Sequence, residues 1–139
     1  DGSKEFHPVI IDSLFGSGLN KPLEGLTAKI VDHLNAQNAL RIAVDTPSGL
    51  FADHFSVREG SFGEGTTFHA PHTITFQHPK FSFLFPQNYE SVGEFHTADI
   101  GLDKNFIADL PSKNFLLEEN DIRRAHLREG QGAEMPRQG

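Results

Sequence analysis

Val9-Ile-Ile-Asp-Ser-Leu-Phe-Gly-Ser-Gly-Leu-Asn-Lys-Pro22 and Arg41-Ile-Ala-Val-Asp-Thr-Pro-Ser-Gly-Leu50 share one pattern. Each is an apolar run that stops on an aspartate and breaks into a loop of glycine and proline. Short apolar runs bounded by turn residues are how fully buried parallel strands read. Asp12 and Asp45 are therefore expected at the carboxyl ends of two strands, where open α/β sheets hold their ligands. Between the runs, Leu26, Ile30, Val31 and Leu34 fall on one helical face, with Lys29, Asp32 and His33 elsewhere. A strand, a helix and a second strand predict a right-handed crossover, which makes the strands parallel and places both aspartates on one rim.

Working outward, residues 1–8 are polar. After the second strand, 51–67 is poor in aliphatic residues and contains Gly60, Gly63 and Gly65, which predicts a long loop. His72–Phe76 alternates and is β-branched, so it reads as a third strand, and Gly93–Ile100 as a fourth. Phe81–Phe85 is apolar and fits either element. Pro111 marks a boundary, and Leu116–Arg123 holds a short helical turn. We place a domain over residues 1–112 and a linker with a disordered tail over 113–139. Arg124–Gly139 has too few apolar residues to offset the entropy of ordering.

The composition removes several function classes. The 139 residues carry a formal net charge of -7 with no basic run, which argues against a general nucleic-acid or anionic-membrane surface. There is no cysteine, so disulfides, zinc–thiolate sites and thiol nucleophiles are excluded. No stretch approaches the ~20 apolar residues of a membrane span. A cytoplasmic enzyme is the simplest reading. The start Asp1-Gly2-Ser3-Lys4 reads as a cut. Thirteen phenylalanines and no tryptophan make Phe the main aromatic filler.

Two carboxylates that share a partly dry crevice repel, so one takes up a proton or a cation sits nearby. Oxygen-rich surroundings favour a hard cation, and Ser13, Ser17, Thr46 and Ser48 offer hydroxyls. The alternative is that Asp12 and Asp45 only cap the turns that follow them. In Asp45-Thr-Pro-Ser-Gly, Pro47 extends Thr46 and Gly49 permits a positive φ, which fixes Asp45 relative to Ser48. Partial desolvation is expected to raise the Asp45 pKa to a value suited to proton transfer. Gly16-Ser17-Gly18-Leu19-Asn20-Lys21 has the makings of a phosphate nest with Lys21 as a point charge. It matches neither a Walker loop nor a dinucleotide fingerprint, and an ordinary surface turn fits as well. His69, His72 and His78 are read as loop or strand-face histidines rather than zinc ligands, because Pro71 breaks their spacing. Lys80 follows Pro79 after the third strand and has two readings, a side chain pointing at the same rim or, preferred here, a solvated lysine. No serine lies in a Gly-x-Ser-x-Gly elbow.

Taken in order, Asp12-Ser-Leu-Phe-Gly-Ser-Gly-Leu, Asp45-Thr-Pro-Ser-Gly-Leu, Thr73-Ile-Thr-Phe with Pro79-Lys80, and Asp99-Ile-Gly-Leu resemble the NAD(P)H-hydrate epimerase domain. The resemblance spans roughly residues 9–103. It implies a Rossmann-like three-layer α/β/α fold with a mainly parallel sheet. This chain would be the second half of that domain, without the first strand–helix half. It also implies interconversion of the R and S forms of hydrated NADH or NADPH. Potassium is implied at Asp12 and Ser48. Contacts to the hydrated nucleotide are implied from Gly16, Ser17, Gly18, Leu19, Asn20, Lys21 and Pro22 and from Asp45. Asp45 would be the catalytic residue, protonating the leaving hydroxyl and activating the returning water. A homodimer would suit the family, as would fusion to an NAD(P)H-hydrate dehydratase domain, with Phe115–Arg124 as the linker. A non-catalytic nucleotide- or protein-binding module on the same fold is the alternative, and a hydrolase-like or phosphate-binding domain has little support.

Overall fold

The computed structural model describes residues 8–53, 57–58, 61–62, 65–112, 114, 116–119 and 121–123. Two compact units divide the chain, Asp1–Leu102 and Asp103–Gly139. The expectations for residues 1–7 and for the tail from Arg124 lie outside the described residues.

The first unit runs β1 (Val9–Asp12), α1 (Gly25–Asn35), β2 (Leu40–Val44), β3 (Val57–Arg58), β4 (Ser61–Phe62), β5 (His72–Phe76), α2 (Tyr89–Val92) and β6 (Glu94–Ala98). Two 3-10 turns, Phe81–Leu84 and Pro86–Asn88, precede α2. The main sheet has the order β1-β2-β5-β6, and each pairing is parallel. This is the expected α/β, Rossmann-like arrangement, with α1 between β1 and β2. The expected loop over 51–67 contains one addition, the antiparallel pair β3–β4.

Register decides which residues share a face. Ala43 lies opposite Thr73, and Thr73 opposite Phe95. Val31 of α1 packs on this face with Ala43, Leu23, Phe68 and Ala70, and Ile10 and Leu34 close the cluster. A second cluster on the same face joins Leu50, Phe83, Val92 and Phe95. The helical face expected from Leu26, Ile30, Val31 and Leu34 is thus narrower than it reads. Val31 is buried, whereas Leu26 and Ile30 are exposed.

The opposite face presents Val9 and Ile11 of β1, Leu40 of β2, and Ile74 and Phe76 of β5, all exposed. Ile11 retains 64% of its surface. The described elements of the first unit therefore cover one side of the sheet.

Two glycines hold the cover in place. Gly49 has φ +95, and a Cβ there would stand 2.2 Å from the carbonyl oxygen of Thr66. That close approach lets the Phe68 N–H donate to the Ser48 carbonyl at 2.7 Å. Gly93, at φ +59, turns the chain from α2 into β6 against the Pro71 carbonyl. At the end of α1, the Asn35 side chain donates to the Thr67 carbonyl at 2.8 Å and accepts from the His69 N–H at 2.9 Å. One amide thus ties the helix to the segment entering β5.

In the second unit, α3 (Lys104–Ala108) starts at Asp103, whose carboxylate accepts from the N–H groups of Asn105 and Phe106. This is an ordinary N-cap, with the acceptor placed against otherwise unpaired donors. Residues 121–123 form the expected helical turn.

Candidate active site at the strand ends

Asp12 closes β1 and turns onto the covered face, where 1% of its surface remains exposed. Its carboxylate is held by three donors. The Ser48 N–H reaches Oδ2 at 2.7 Å, the Ser48 hydroxyl reaches Oδ1 at 2.6 Å, and the Leu14 N–H reaches Oδ1 at 3.3 Å. The Ser48 Oγ in turn accepts the Phe15 N–H at 3.2 Å. Asp12 therefore does cap its own turn, through Leu14, but most of its bonding is long-range. It stitches the end of β1 to the loop after β2. Among the described residues, its partners include no charged side chain.

Asp45 sits immediately after β2, and its own N–H extends the ladder to the Ile74 carbonyl at 2.7 Å. Its φ is +65, and the Thr46 N–H folds back to the Val44 carbonyl at 2.9 Å. This is a γ-turn with positive φ, a strained geometry for a non-glycine residue. The neighbouring strand repeats the device. Gln77 follows β5 with φ +60, and the His78 N–H returns to the Phe76 carbonyl at 2.7 Å. Asp45 and Gln77 are the two non-glycine residues with positive φ among those described. Strain of this kind concentrates where side chains must be aimed.

The aim of Asp45 is toward Lys80. The ammonium lies 2.8 Å from Asp45 Oδ1, and the two side chains are 16% and 15% exposed. Lys80 Nζ also donates to the Phe76 carbonyl at 3.2 Å. Asp45 Oδ2 accepts the Ser17 N–H at 3.2 Å, and Oδ1 accepts the Phe76 N–H at 3.5 Å. Burial by itself pushes the Asp45 carboxyl up. The hydrogen bond and charge of Lys80, with the N–H groups of Ser17 and Phe76, outweigh it and hold the carboxyl below its ordinary value. The expected rise in the Asp45 pKa is thus corrected to a fall, because its partner is a nearly buried ammonium. Lys80, expected as a solvated side chain, is that partner. The pairing of β5 beside β2 brings it there, so of the two readings of Lys80 the one at the rim holds.

The glycine loop lies against this pair. Leu19 N–H bonds to the Gly16 carbonyl at 3.4 Å and closes a turn over 16–19. A Cβ at Gly16 would meet Asp45 Oδ2 at 3.2 Å. The Ser17 N–H, a candidate anion donor, is engaged by Asp45. Gly18 faces open space, and Leu19 packs against the core cluster. Asn20, Lys21 and Pro22 are exposed, with Pro22 beside Gly65. The structure therefore gathers Asp12, Gly16, Ser17, Asp45 and Ser48 with Lys80, and leaves Asn20 and Lys21 in solvent. Thr46, between the two halves of the site, is buried with a hydroxyl that has no hydrogen-bond partner among the described residues.

His69, His72 and His78 do not form one cluster. His69 faces Glu90 at 3.5 Å and His72 faces Glu94 at 4.0 Å.

Comparison with known proteins places this geometry in context. The family described as "YjeF-related protein N-terminus" matches residues 3–82. An NAD(P)H-hydrate epimerase of Rhodopirellula baltica is 40% identical over 94 residues, covering 68% of this chain and 36% of the relative. A bifunctional NAD(P)H-hydrate repair enzyme Nnr of Thermofilum pendens is 35% identical over 113 residues, covering 81% and 20%. The enzyme of the same description from Escherichia coli is 35% identical over 95 residues, covering 68% and 17%. The chain thus spans well under half the length of these relatives.

Proposed function

The chain belongs to the family of YjeF-related protein N-termini, and on that footing we propose that it supplies the catalytic rim of an NAD(P)H-hydrate epimerase. The observation that carries the proposal is the Asp45–Lys80 pair, 2.8 Å apart at the carboxyl ends of β2 and β5. Hydrated NADH or NADPH carries a hydroxyl on a ring carbon next to nitrogen. The nitrogen lone pair expels that hydroxyl once it is protonated, which leaves an iminium. Water added to the other face gives the opposite epimer.

Such a reaction needs a proton donor and a proton acceptor on one rim. With Asp45 held ionised, the donor is Lys80. Its ammonium protonates the departing hydroxyl as the carbon–oxygen bond breaks, and the products are water and the neutral amine. Asp45 then accepts the proton of the incoming water as the new carbon–oxygen bond forms. Transfer from Asp45 to the Lys80 amine restores the starting pair. The Asp45 γ-turn supports this assignment, because it keeps the carboxylate aimed at the rim without waiting for substrate. The turn over 16–19, with Gly18 open beside it, is the side from which the nucleotide is contacted.

Potassium belongs, on this reading, at Asp12 and Ser48. The donor set fits a hard cation, since both groups offer oxygen. Three acceptor positions of the Asp12 carboxylate are spent on Leu14 and Ser48, and about four are available to a carboxylate. Ser48 Oγ spends its proton on Asp12 and one lone pair on Phe15. One lone pair remains on each residue. A bound cation would supply positive charge to a buried carboxylate that lacks a cationic side-chain partner among the described residues.

In the longer protein, we place this unit beside a dehydratase domain, as the bifunctional relatives suggest. The test is chromatographic separation of the two hydrate epimers with and without protein. Asp45→Asn and Lys80→Met should each slow epimerisation by roughly 10²–10⁴-fold while the hydrate still binds. Unchanged turnover in either variant rejects the acid–base roles. Tight nucleotide binding without epimerisation in the unaltered protein would favour a binding module instead.

A further inference from the structure

At the other end of the sheet, three side chains converge that the epimerase reading does not use. His72 opens β5 and Glu94 opens β6, and the two are register partners. His96 lies two residues further along β6, opposite Ile74. Side chains two apart on a strand share a face, so all three stand on the face that presents Ile11 and Ile74. Glu94 sits between the two imidazoles. Its Oε2 is 4.0 Å from His72 Nδ1, and its Oε1 is 3.7 Å from His96 Nε2. The rings are roughly stacked, with centroids 6.5 Å apart and planes 27° from parallel.

From this arrangement we propose that His72, Glu94 and His96 form a divalent transition-metal site of the zinc type. One potential ligand atom from each residue lies within 4.8 Å of the other two. Zinc takes imidazole nitrogen at ~2.0–2.1 Å and carboxylate oxygen at ~2.0–2.2 Å, which sets neighbouring ligands about 3.4 Å apart in a tetrahedron. The closure required is on the order of 1 Å, within reach of small side-chain rotations on exposed residues. Two imidazoles and a carboxylate suit zinc and its neighbours rather than magnesium or calcium. The fourth position falls to water, because the cluster is open to solvent. The hydrogen-bonded pairing of β5 with β6 holds the three Cβ atoms at fixed spacing. The site is therefore prepared by the sheet and not by a loop.

The site is separate from the acid–base rim. His72 and Glu94 begin their strands, whereas Asp45 and Lys80 lie beyond strand carboxyl ends. A metal here pins β6 to β5.

The rival explanation is a pair of imidazolium–carboxylate contacts with no affinity for metal, and one titration separates the two. Zinc chloride is titrated calorimetrically into the chain at pH 7.5 in a non-chelating buffer. Wild type should bind at one saturable site. His72→Ala and His96→Ala should each weaken it by more than the ~10–100-fold typical of losing an outer-shell partner. His69→Ala, which alters a histidine outside the cluster, should bind as wild type does. Zinc should also raise the thermal midpoint of wild type and not that of His96→Ala, since a ligand stabilises only the state that binds it. Because His96 is largely exposed, far-UV circular dichroism should show an unchanged fold. Equal affinity in the wild type and the two cluster variants would overturn the proposal. So would the absence of saturable binding in a wild type that circular dichroism shows to be folded.

Discussion

Replacing Ser48 with alanine should destabilise the chain far more than the loss of one small hydroxyl suggests. That hydroxyl donates to Asp12 at 2.6 Å and accepts the Phe15 N–H at 3.2 Å. A hydrogen bond to a charged group contributes about 1.5–3 kcal/mol, and an orphaned buried N–H costs about 1–3 kcal/mol. Phe15 is only partly buried, so its share lies at the lower end. The sum is about 2.5–5 kcal/mol. At roughly 4 °C per kcal/mol for a domain of this size, the melting midpoint should fall about 10–20 °C. Far-UV circular dichroism in a urea or temperature series is the suitable assay, because the chain has no tryptophan and one tyrosine. Ser17→Ala is the internal control. The contact of Ser17 to Asp45 comes from its backbone N–H, so this variant should stay within about 0.5 kcal/mol of wild type. A Ser48→Ala loss as small as the control's would refute the claim that Asp12 and Ser48 fasten β1 to the loop after β2.

Three other perturbations reach other parts of the same frame. Lys80→Met removes the cation that does most to hold Asp45 below its ordinary value, so burial is opposed only by the N–H groups of Ser17 and Phe76. Carbon-detected NMR titration should show the Asp45 transition moving to higher pH. In wild type the stability from this depressed carboxyl is fully present above the ordinary aspartate value of about 3.9. It is lost as pH falls through the lower folded value, and in the variant, whose folded value moves toward or above the unfolded one, this acid-side loss should shrink. Gly49→Ala puts a Cβ 2.2 Å from the Thr66 oxygen at φ +95. Backbone strain alone costs about 1–3 kcal/mol, so this variant should lose at least about 2 kcal/mol in urea unfolding. Ile11→Lys places a charge on an exposed edge-strand position. Stability should change by no more than about 0.5 kcal/mol, while sedimentation velocity at high protein concentration should show less self-association.

The main sheet was legible because its strands declare themselves locally. Val9–Asp12 and Leu40–Val44 are apolar runs cut off by aspartates, and the helix between them has its own periodicity. Asp12, Asp45 and Ser48 were legible for the same reason, since strand ends followed by small-residue loops are visible in one dimension. What escaped the sequence depends on distance. Lys80 reads as an ordinary surface lysine until β5 is set beside β2. The direction of the Asp45 shift follows from that neighbour and reverses when it is left out. The short elements α2, α3 and β3–β4 have too few residues for a period to emerge. His72 lies near His69 and His78 along the chain, whereas register pairs it with Glu94 and places His96 alongside. Positive φ at Asp45 and Gln77 has no compositional signature, because neither residue is glycine.

The order β1-β2-β5-β6 has a bearing on biosynthesis. Each strand's neighbour in the sheet is also its neighbour along the main-sheet sequence, so every pairing is available as soon as the newer strand leaves the ribosome. The order thus permits vectorial assembly, in which β2 docks on β1, β5 on β2, and β6 on β5. The growing rim is always the most recently translated segment. Synonymous slowing of translation after Val44 should therefore leave β1 and β2 already paired when β5 emerges, not a misordered sheet.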